Sequence, residues 1–159
     1  MIKKKKNSNI LNITQNKKAY YNFFIEQTLE SGLILKGWEV KSIRNKTVDI
    51  SNGYLFFKNY EIYLIGLSIQ PNQFLSCTLN QNIKRNIKIL LKKKEIHTLY
   101  GKYKTKGYSL IALALYWKNA WCKLKIGVAR GKSKQDKRLH IKKQEWNIQK
   151  NIIVKKILR

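Results

Sequence analysis

Apolar residues in the first half of the chain fall into short runs that predict strands. Three such runs, rich in aliphatic and aromatic residues, lie at 33–35, 54–57 and 62–65. The turn-forming pairs Asn52-Gly53 and Lys58-Asn59 bracket the second run, as expected of antiparallel strands. Val40 and Ile43, three positions apart, instead predict a short helix over 38–45.

The hydrophobic period changes twice in the second half of the chain. Alternation over 86–91 predicts a strand. The next apolar residues are spaced i, i+3, i+4, i+7 and predict a helix over 92–104 with one buried face: Ile96, Leu99, Tyr100 and Tyr103. The nearly continuous apolar run at 108–117 is typical of a strand that is buried on both sides.

A tight turn at Lys118-Asn119 leads into an alternating strand over 121–128. Its apolar face would consist of Cys122, Leu124, Ile126 and Val128. Trp121, Lys123 and Lys125 fall on the other face, where an aromatic ring beside two cations suits a base or a sugar–phosphate edge. An ordinary solvated strand face explains the same pattern equally well.

These elements indicate one small barrel with tails. Many short strands, one longer helix, eight glycines and a single proline favour a closed or half-open sheet. We therefore expect a mainly β fold, an OB-like antiparallel β-barrel with short flanking helices, whose open face commonly binds nucleic acid. The expected units are a flexible basic N-terminal tail at 1–15, the barrel at 16–131 and a basic C-terminal tail at 132–159.

The segment after residue 131 has no compact apolar face. On a helical wheel its apolar residues fall on two sides with lysines between them: Ile141, Ile148 and Ile152 on one, Trp146, Ile153 and Ile157 on the other. A helix lying on a membrane would separate one apolar face from one polar face. We expect a tail that is disordered alone and becomes helical when a partner encloses it.

Charge predicts a polyanionic partner. The chain carries 34 Lys and Arg against 8 Asp and Glu, a formal net charge of +26, which attracts nucleic acid and gains affinity by counterion release. Because Lys, Ile and Asn are abundant, as in proteins of very AT-rich genomes, part of this charge reflects codon usage. The few arginines then indicate positions that need a planar, multidentate donor: Arg44, Arg85, Arg130, Arg138 and Arg159.

Several classes of protein find no support in the sequence. No apolar run approaches the ~20 residues that a bilayer requires, and Met1 begins no secretory signal, so we expect a cytoplasmic protein without a membrane partner. Cys77 and Cys122 are expected to be reduced, packed thiols, and His97 and His140 lack neighbours at ligand spacing. Without a phosphate loop or nucleophile motif, we expect no enzyme activity, cofactor, metal or small-molecule substrate.

Blocks of sequence in one order match a known family over about nine-tenths of the chain. The most specific are Asn16-Lys17-Lys18-Ala19, Leu29-Glu30-Ser31-Gly32-Leu33, Gly37-Trp38-Glu39-Val40-Lys41, Tyr116-Trp117-Lys118-Asn119-Ala120-Trp121, Lys125-Ile126-Gly127-Val128-Ala129-Arg130-Gly131-Lys132 and Asp136-Lys137-Arg138. These blocks resemble the SsrA-binding protein family, also called small protein B.

The resemblance implies an OB-like barrel that binds the tRNA-like domain of transfer-messenger RNA. Such a protein carries this RNA to ribosomes stalled on an mRNA without a stop codon. The resemblance also implies that the basic tail enters the empty mRNA channel of the small ribosomal subunit, beyond the decoding site, and folds into a helix there. We expect a monomer.

Two sets of site residues accompany the resemblance, together with Trp121 from the strand pattern. The RNA-binding set is Asn16, Lys17, Glu30, Lys92, Trp121, Lys123, Arg130 and Gly131, and the ribosome-contacting set is Asp136, Lys137, Arg138 and Trp146. Glu30 falls where the family has an acid needed for RNA binding, although a structural ion pair inside the barrel explains it equally well. Gly131 would allow close backbone approach or a positive φ between barrel and tail.

Two positions depart from the family pattern. Lys92 stands where the family usually has Asn or His, which predicts a plain phosphate contact in place of a specific one. Tyr20-Tyr21 replaces a more basic pair. Two other functions stay open: a structural ribosomal protein that binds ribosomal RNA permanently, and a single-stranded DNA binder.

Overall fold

The computed structural model describes residues 10–71 and 85–157. The predictions for residues 1–9, Cys77 and Arg159 lie outside this part of the chain. The strands are β1 (Ile10–Gln15), β2 (Phe23–Leu33), β3 (Val48–Asp49), β4 (Tyr54–Lys58), β5 (Glu61–Ile65), β6 (Ser68–Ile69), β7 (Ile87–Leu90), β8 (Tyr108–Lys118) and β9 (Trp121–Gly131). The helices are α1 (Lys17–Asn22), α2 (Gly37–Arg44), α3 (Lys93–Lys104) and α4 (Lys134–Ile157).

The main sheet is antiparallel and its strand pairings close on themselves. The order runs β8, β4, β5, β7, β2, β9 and back to β8, while β1 adds to β8 beside β4. The β4–β8 link is a single pair, Tyr54 with Ile111, and β3 and β6 form a separate two-stranded ribbon. The predicted mainly β class is confirmed, and the ring of pairings is compatible with an OB-like barrel.

Alternation along β9 separates the barrel interior from its surface, as predicted. Leu124, Ile126 and Val128 are fully buried, and Cys122 packs partly buried against the same core. Burial raises the pKa of the Cys122 thiol to about 11, so the thiol stays protonated at neutral pH.

Both faces of β8 are buried, which confirms the prediction from its continuous apolar run. Leu110, Ala112 and Leu115 belong to the barrel core. Ile111 and Leu113 point to the other side, where they form a second buried cluster with Ala19 of α1. A register shift between residues 112 and 114 marks a bulge that changes the alternation. The outward-facing apolar residues of β8 therefore fix where α1 packs on the barrel.

The two helices predicted from apolar spacing are confirmed to within one residue at each end. Each begins with a backbone N–H that donates to a glutamate three residues later: Lys36 to Glu39 Oε2 at 2.7 Å and Lys92 to Glu95 Oε2 at 2.9 Å. Acids in the first turn of a helix satisfy free N–H groups and the helix dipole. Leu99 is 1% exposed and anchors α3 in the barrel core. The prediction of one buried face is wrong for Tyr100 and Tyr103, which are 36% and 40% exposed.

The N-terminal region differs from the sequence prediction in two places. Residues 10–15, predicted as part of a flexible tail, form β1 and pair with β8 from Ile10 opposite Lys118 to Gln15 opposite Ala114. The strand predicted at 33–35 is also misplaced, because the observed strand, β2, begins at Phe23 and ends at Leu33. A register shift between Ile25 and Gln27 breaks the alternation of β2, so the sequence pattern hides its length.

The C-terminal segment is a 24-residue helix in the chain by itself, where the sequence predicted disorder without a partner. A reciprocal cap begins it: the backbone N–H of Ser133 donates to Asp136 Oδ2 at 3.0 Å, and the N–H of Asp136 donates to Ser133 Oγ at 3.2 Å. The apolar side chains described on it, from Leu139 to Val154, are 39% to 67% exposed, as the lack of an apolar face predicted. None of the helices described is long and apolar enough to cross a membrane.

Candidate nucleic-acid interface

Glu30 is the centre of a polar cluster on the outer face of β2, β9 and β8. Its Oε2 accepts a hydrogen bond from Tyr116 Oη at 2.8 Å and one from Lys118 Nζ at 3.0 Å. Lys123 Nζ lies 3.9 Å from Glu30 Oε1. The carboxylate therefore holds two ammonium groups and one phenol together on an open surface.

The protonation state of Glu30 follows from these contacts. Partial burial works to raise its pKa, but the hydrogen bonds from Tyr116 and Lys118 and the charges of Lys118 and Lys123 together lower it below its usual value. Burial and the bond to Glu30 raise the pKa of Tyr116. At neutral pH the cluster thus consists of a carboxylate, a neutral phenol and two cations. The ion pair lies on the outside of the barrel, not inside it.

Strand register extends this cluster into a cationic face. Lys125 is paired with Glu30 across β2 and β9, and Lys118 is paired with Trp121 across the β8–β9 hairpin. Trp121 is 73% exposed. Beside Glu30 and Lys125 lies an open groove of about 670 Å³ that β1 and β8 complete. A phosphate chain would meet lysines here, and an unpaired base would meet the Trp121 ring.

Lys92 belongs to the same end of the barrel. It is exposed and follows β7, whose Leu90 is paired with Gly32. Gly32 is in turn paired with Lys123 on the other side of β2. The predicted phosphate contact at Lys92 stays a prediction, and these pairings place the end of β7 on the same side of the sheet network as Lys123.

Asn16 has a structural position that the sequence did not predict. The residue is 1% exposed. Its side-chain amide donates to the carbonyls of Ile50 and Ala112, both at 3.1 Å, and its Oδ1 accepts from the N–H of Ala19 at 2.9 Å to cap α1. A direct contact of this side chain with RNA is therefore not available. Lys17, the next residue, is exposed at the start of α1.

Arg130 and Gly131 lie at the far end of β9 from Trp121. Both are exposed. Gly131 is paired with Phe23 in regular strand geometry, and the positive-φ glycines among the described residues are Gly66 and Gly107. The predicted positive φ at Gly131 is therefore wrong. A Cβ at Gly131 would meet no atom within 4 Å, so nothing in the described part of the chain requires a glycine there, and close backbone approach by a ligand stays a prediction.

The four predicted tail residues have different environments in α4. The carboxylate of Asp136 accepts from both the N–H and the hydroxyl of Ser133, and these bonds lower its pKa. Lys137 Nζ lies 5.9 Å from the ring centre of Tyr21 in α1. Arg138 is exposed, as is Trp146 at 67%. Asp136 and Lys137 therefore fix the helix to its surroundings, whereas Arg138 and Trp146 are free to meet a partner.

The arginines divide into two groups. Arg85 binds both carboxylate oxygens of the buried Glu39 and donates to Ile34 O at 2.9 Å, and the Arg44 guanidinium lies 5.7 Å from the Trp117 ring centre. In the described part of the chain, Arg130 and Arg138 have no such partner. The need for a multidentate donor is thus met internally at Arg85, whereas contact of Arg130 and Arg138 with an outside ligand stays a prediction.

Most of the eight acids are already bonded within the protein. Seven accept hydrogen bonds: Glu26 from Tyr108, Glu30 from Tyr116 and Lys118, Glu39 from Lys36 and Arg85, Asp49 from Ser51, Glu61 from Tyr63 and Lys88, Glu95 from Lys92 and Asp136 from Ser133. Among the described residues no group of three His, Cys, Asp or Glu could hold a metal ion. Three of these acids cap helices and two bind lysines, and the net charge of the chain stays strongly positive.

Sequence reasoning missed Tyr116 and Lys118 in this cluster. The signal was present in the predicted turn at Lys118-Asn119, because a tight hairpin fixes which residues face each other. That register places Tyr116 opposite Lys123 and Lys118 opposite Trp121. The alternation of β9 and the family resemblance thus identified Lys123 and Glu30, and the hairpin register would have added Tyr116 and Lys118.

A basic β-barrel with a lysine and tryptophan face defines a class: the small nucleic-acid-binding β-barrel proteins. The family model described as "SmpB protein" matches residues 13–156. SsrA-binding proteins of Buchnera aphidicola subsp. Acyrthosiphon pisum, strains Tuc7 and 5A, are each 47% identical over 154 residues, which cover 97% of this chain and 95% of theirs. The chain belongs to the SmpB family.

A solved structure is also similar to this chain. It is described as "tmRNA-SmpB: a journey to the center of the bacterial ribosome" and matches with a TM-score of 0.64 at 36% identity. The match covers 79% of this chain and 91% of the solved one. Fold and sequence therefore agree on the family.

Proposed function

We propose that this chain binds the tRNA-like domain of transfer-messenger RNA and delivers that RNA to stalled ribosomes in trans-translation. The observation that carries the proposal is the match to SsrA-binding proteins over 97% of the chain. The family model extends from β1 into the last turns of α4, so barrel and tail are both included. The protein would act in the cytoplasm as a monomer.

The Glu30 cluster is the proposed contact surface for the tRNA-like domain. Lys118, Lys123 and Lys125 would neutralise phosphates, and Trp121 would stack on a base or pack on a sugar. Glu30 would act as a positioning residue, because it holds Lys118 within 3.1 Å and leaves both lysines partly exposed. Such pre-ordering lowers the entropy cost of binding for long side chains.

The tail is the proposed ribosome-contacting unit. Residues 132–159 would enter the empty mRNA channel of the small subunit as a helix, with Arg138 and Trp146 as contacts to RNA. An RNA-walled channel suits α4, because its exposed isoleucines and lysines alternate around the whole helix. The barrel at 16–131 and this tail would then act as two separate contact units.

Identifying the RNA that co-purifies with the protein tests the proposal. The adaptor should recover one dominant small RNA with a tRNA-like end, and it should be present on a minority of ribosomes. A structural ribosomal protein should instead be stoichiometric on all ribosomes, without enrichment of such an RNA. That second result would contradict the proposal and favour the alternative.

A truncation separates the two units. A stop codon after Lys132 removes α4 but keeps the bonds from Lys132 to α1, which run from its N–H to Asn22 O and from its Nζ to Tyr20 O, both at 2.9 Å. We expect affinity for the tRNA-like domain to stay within about twofold, since the Glu30 cluster lies in the barrel, and rescue of stalled ribosomes to be lost. Equal loss of both activities would show that α4 belongs to the RNA-binding platform.

A further inference from the structure

A second groove lies on the other side of α1 from the Glu30 cluster. It has a volume of about 420 Å³ and is bordered by Lys18, Asn22, Tyr54, Tyr103 and Tyr108. It shares no lining residue with the groove beside Glu30, since α1 separates the two. None of the predicted RNA-contacting side chains is exposed in this second groove.

Tyrosine rings form an ordered platform at this groove. Tyr54 is 50% exposed and Tyr103 is 40% exposed. The ring centre of Tyr103 lies 5.1 Å from that of Phe57, which in turn packs edge-on against Tyr100 at 5.2 Å. This packing fixes the Tyr103 ring before a ligand arrives, so stacking on that ring costs little side-chain entropy.

Lysines surround the tyrosines. Lys18 lines the groove, Lys102 Nζ lies 5.1 Å from the Tyr108 ring centre and Lys104 Nζ lies 5.4 Å from the Tyr100 ring centre. Two acids border this region, and both are bonded within the protein. Glu26 accepts from Tyr108 Oη at 3.1 Å and Asp49 accepts from the N–H of Ser51 at 2.9 Å. Both carboxylates keep their charge, but the three lysines outnumber the two acids, so the net charge around the groove is positive.

We propose that this groove is a second RNA-contact surface that binds unpaired nucleotides. Bases stack on Tyr54 and Tyr103, while Lys18 and Lys102 hold the phosphates on either side. Exposed aromatic rings beside cations suit single strands, because a base in a duplex presents no free face. An acidic peptide would use the lysines but would gain nothing from the tyrosine rings. The inference rests on one part of the proposed function, namely that this chain binds RNA.

Binding of a short fluorescein-labelled oligouridylate by the full-length protein tests the groove. We expect Tyr54→Ala to weaken binding about fivefold to a hundredfold, as the loss of one stacked base implies. Tyr54→Phe keeps the ring and should bind like the wild type. Tyr60→Ala is the matched control, because Tyr60 is 89% exposed on the β4–β5 turn and outside the groove. Tyr54 is the better target, since Tyr103→Ala would also remove the contact with Phe57.

Three results would overturn the inference. Tyr54→Ala could bind oligouridylate like the wild type, or polyglutamate could compete as well as unlabelled oligouridylate, which would show a charge effect alone. Lys123→Ala could abolish oligouridylate binding, which would place it at the Glu30 cluster. Binding of the tRNA-like domain is measured in parallel. If the wild type does not bind this domain, the proposed function is contradicted. If Tyr54→Ala binds the domain normally but binds oligouridylate more weakly, the two surfaces are separate.

Discussion

The barrel and the C-terminal helix reach regular structure by opposite means. Ile126 in β9 is fully buried among side chains from several strands, whereas Ile148 in α4 is 59% exposed. The position of α4 depends on the Ser133–Asp136 cap and on a few contacts to α1, such as Lys137 with Tyr21. The same side chain therefore has a packing role in one region and no intramolecular role in the other.

This difference explains how one small chain can serve two surfaces. Burial fixes the barrel, so lysines and aromatic rings on its surface keep their positions before a ligand arrives. The helix keeps its apolar and basic residues exposed, and this exposure destabilises nothing because no core depends on them. Sequence changes in the tail should therefore affect binding without affecting folding, and changes in the barrel interior should do the reverse.

A matched pair of substitutions tests that comparison with the largest expected effect. Ile126→Ala should lower the free energy of unfolding by about 2–5 kcal/mol, because it leaves a cavity in the barrel core. Ile148→Ala should change it by less than about 0.5 kcal/mol, because the side chain is exposed and Ala favours helix. Urea unfolding followed by far-UV circular dichroism measures both. A loss above about 1 kcal/mol for Ile148→Ala would mean that α4 packs on the barrel.

The sequence predicted those parts of the fold whose periodicity is set by burial. β9 alternates because one face lines the barrel, and β8 is continuously apolar because Ile111 and Leu113 pack under α1 while Leu110 and Ala112 face the core. The spacing of Ile96, Leu99 and Tyr100 indicated α3, although Leu99 alone of these three is fully buried. Where burial imposes a regular pattern of apolar residues, the local sequence is sufficient to predict the type of element.

The remaining elements lack such a pattern. β1 buries no residue and follows a run of lysines, so its Ile and Thr residues gave no strand pattern, and α1 is too short for a helical period to be visible. α4 buries no face, yet its Ser133-x-x-Asp136 cap was visible in the sequence and would have predicted a helix start. At the site, Trp121 and Lys123 could be predicted from alternation, but Tyr116 and Lys118 required the strand register.

The cap of α4 gives the second prediction. Asp136→Ala removes the acceptor of the Ser133 N–H and should destabilise the helix start by about 0.5–2 kcal/mol. Hydrogen exchange should therefore quicken in the first turns of α4, while the unfolding midpoint of the barrel stays unchanged. Glu145→Ala, an exposed acid in the middle of the same helix, is the control and should leave exchange in those turns unaltered. A lower barrel midpoint in Asp136→Ala would show that the two regions fold as one unit.

The smallest expected effect concerns Glu30, whose carboxylate forms ion pairs with Lys118 and Lys123 on the barrel surface. Its pKa is lower in the folded protein than the ordinary value of 4.5, so its contribution to stability is complete above that value and is lost as pH falls through the folded pKa. Because the side chain is 38% exposed, we expect only a few tenths of a kcal/mol. The difference in unfolding free energy between wild type and Glu30→Gln should shrink as the pH falls from neutral to about 3, and also in high salt. Urea unfolding at each pH measures it. A difference that does not change with pH would mean that Glu30 stabilises the barrel through its bond to Tyr116, which Gln can keep, and not through its charge.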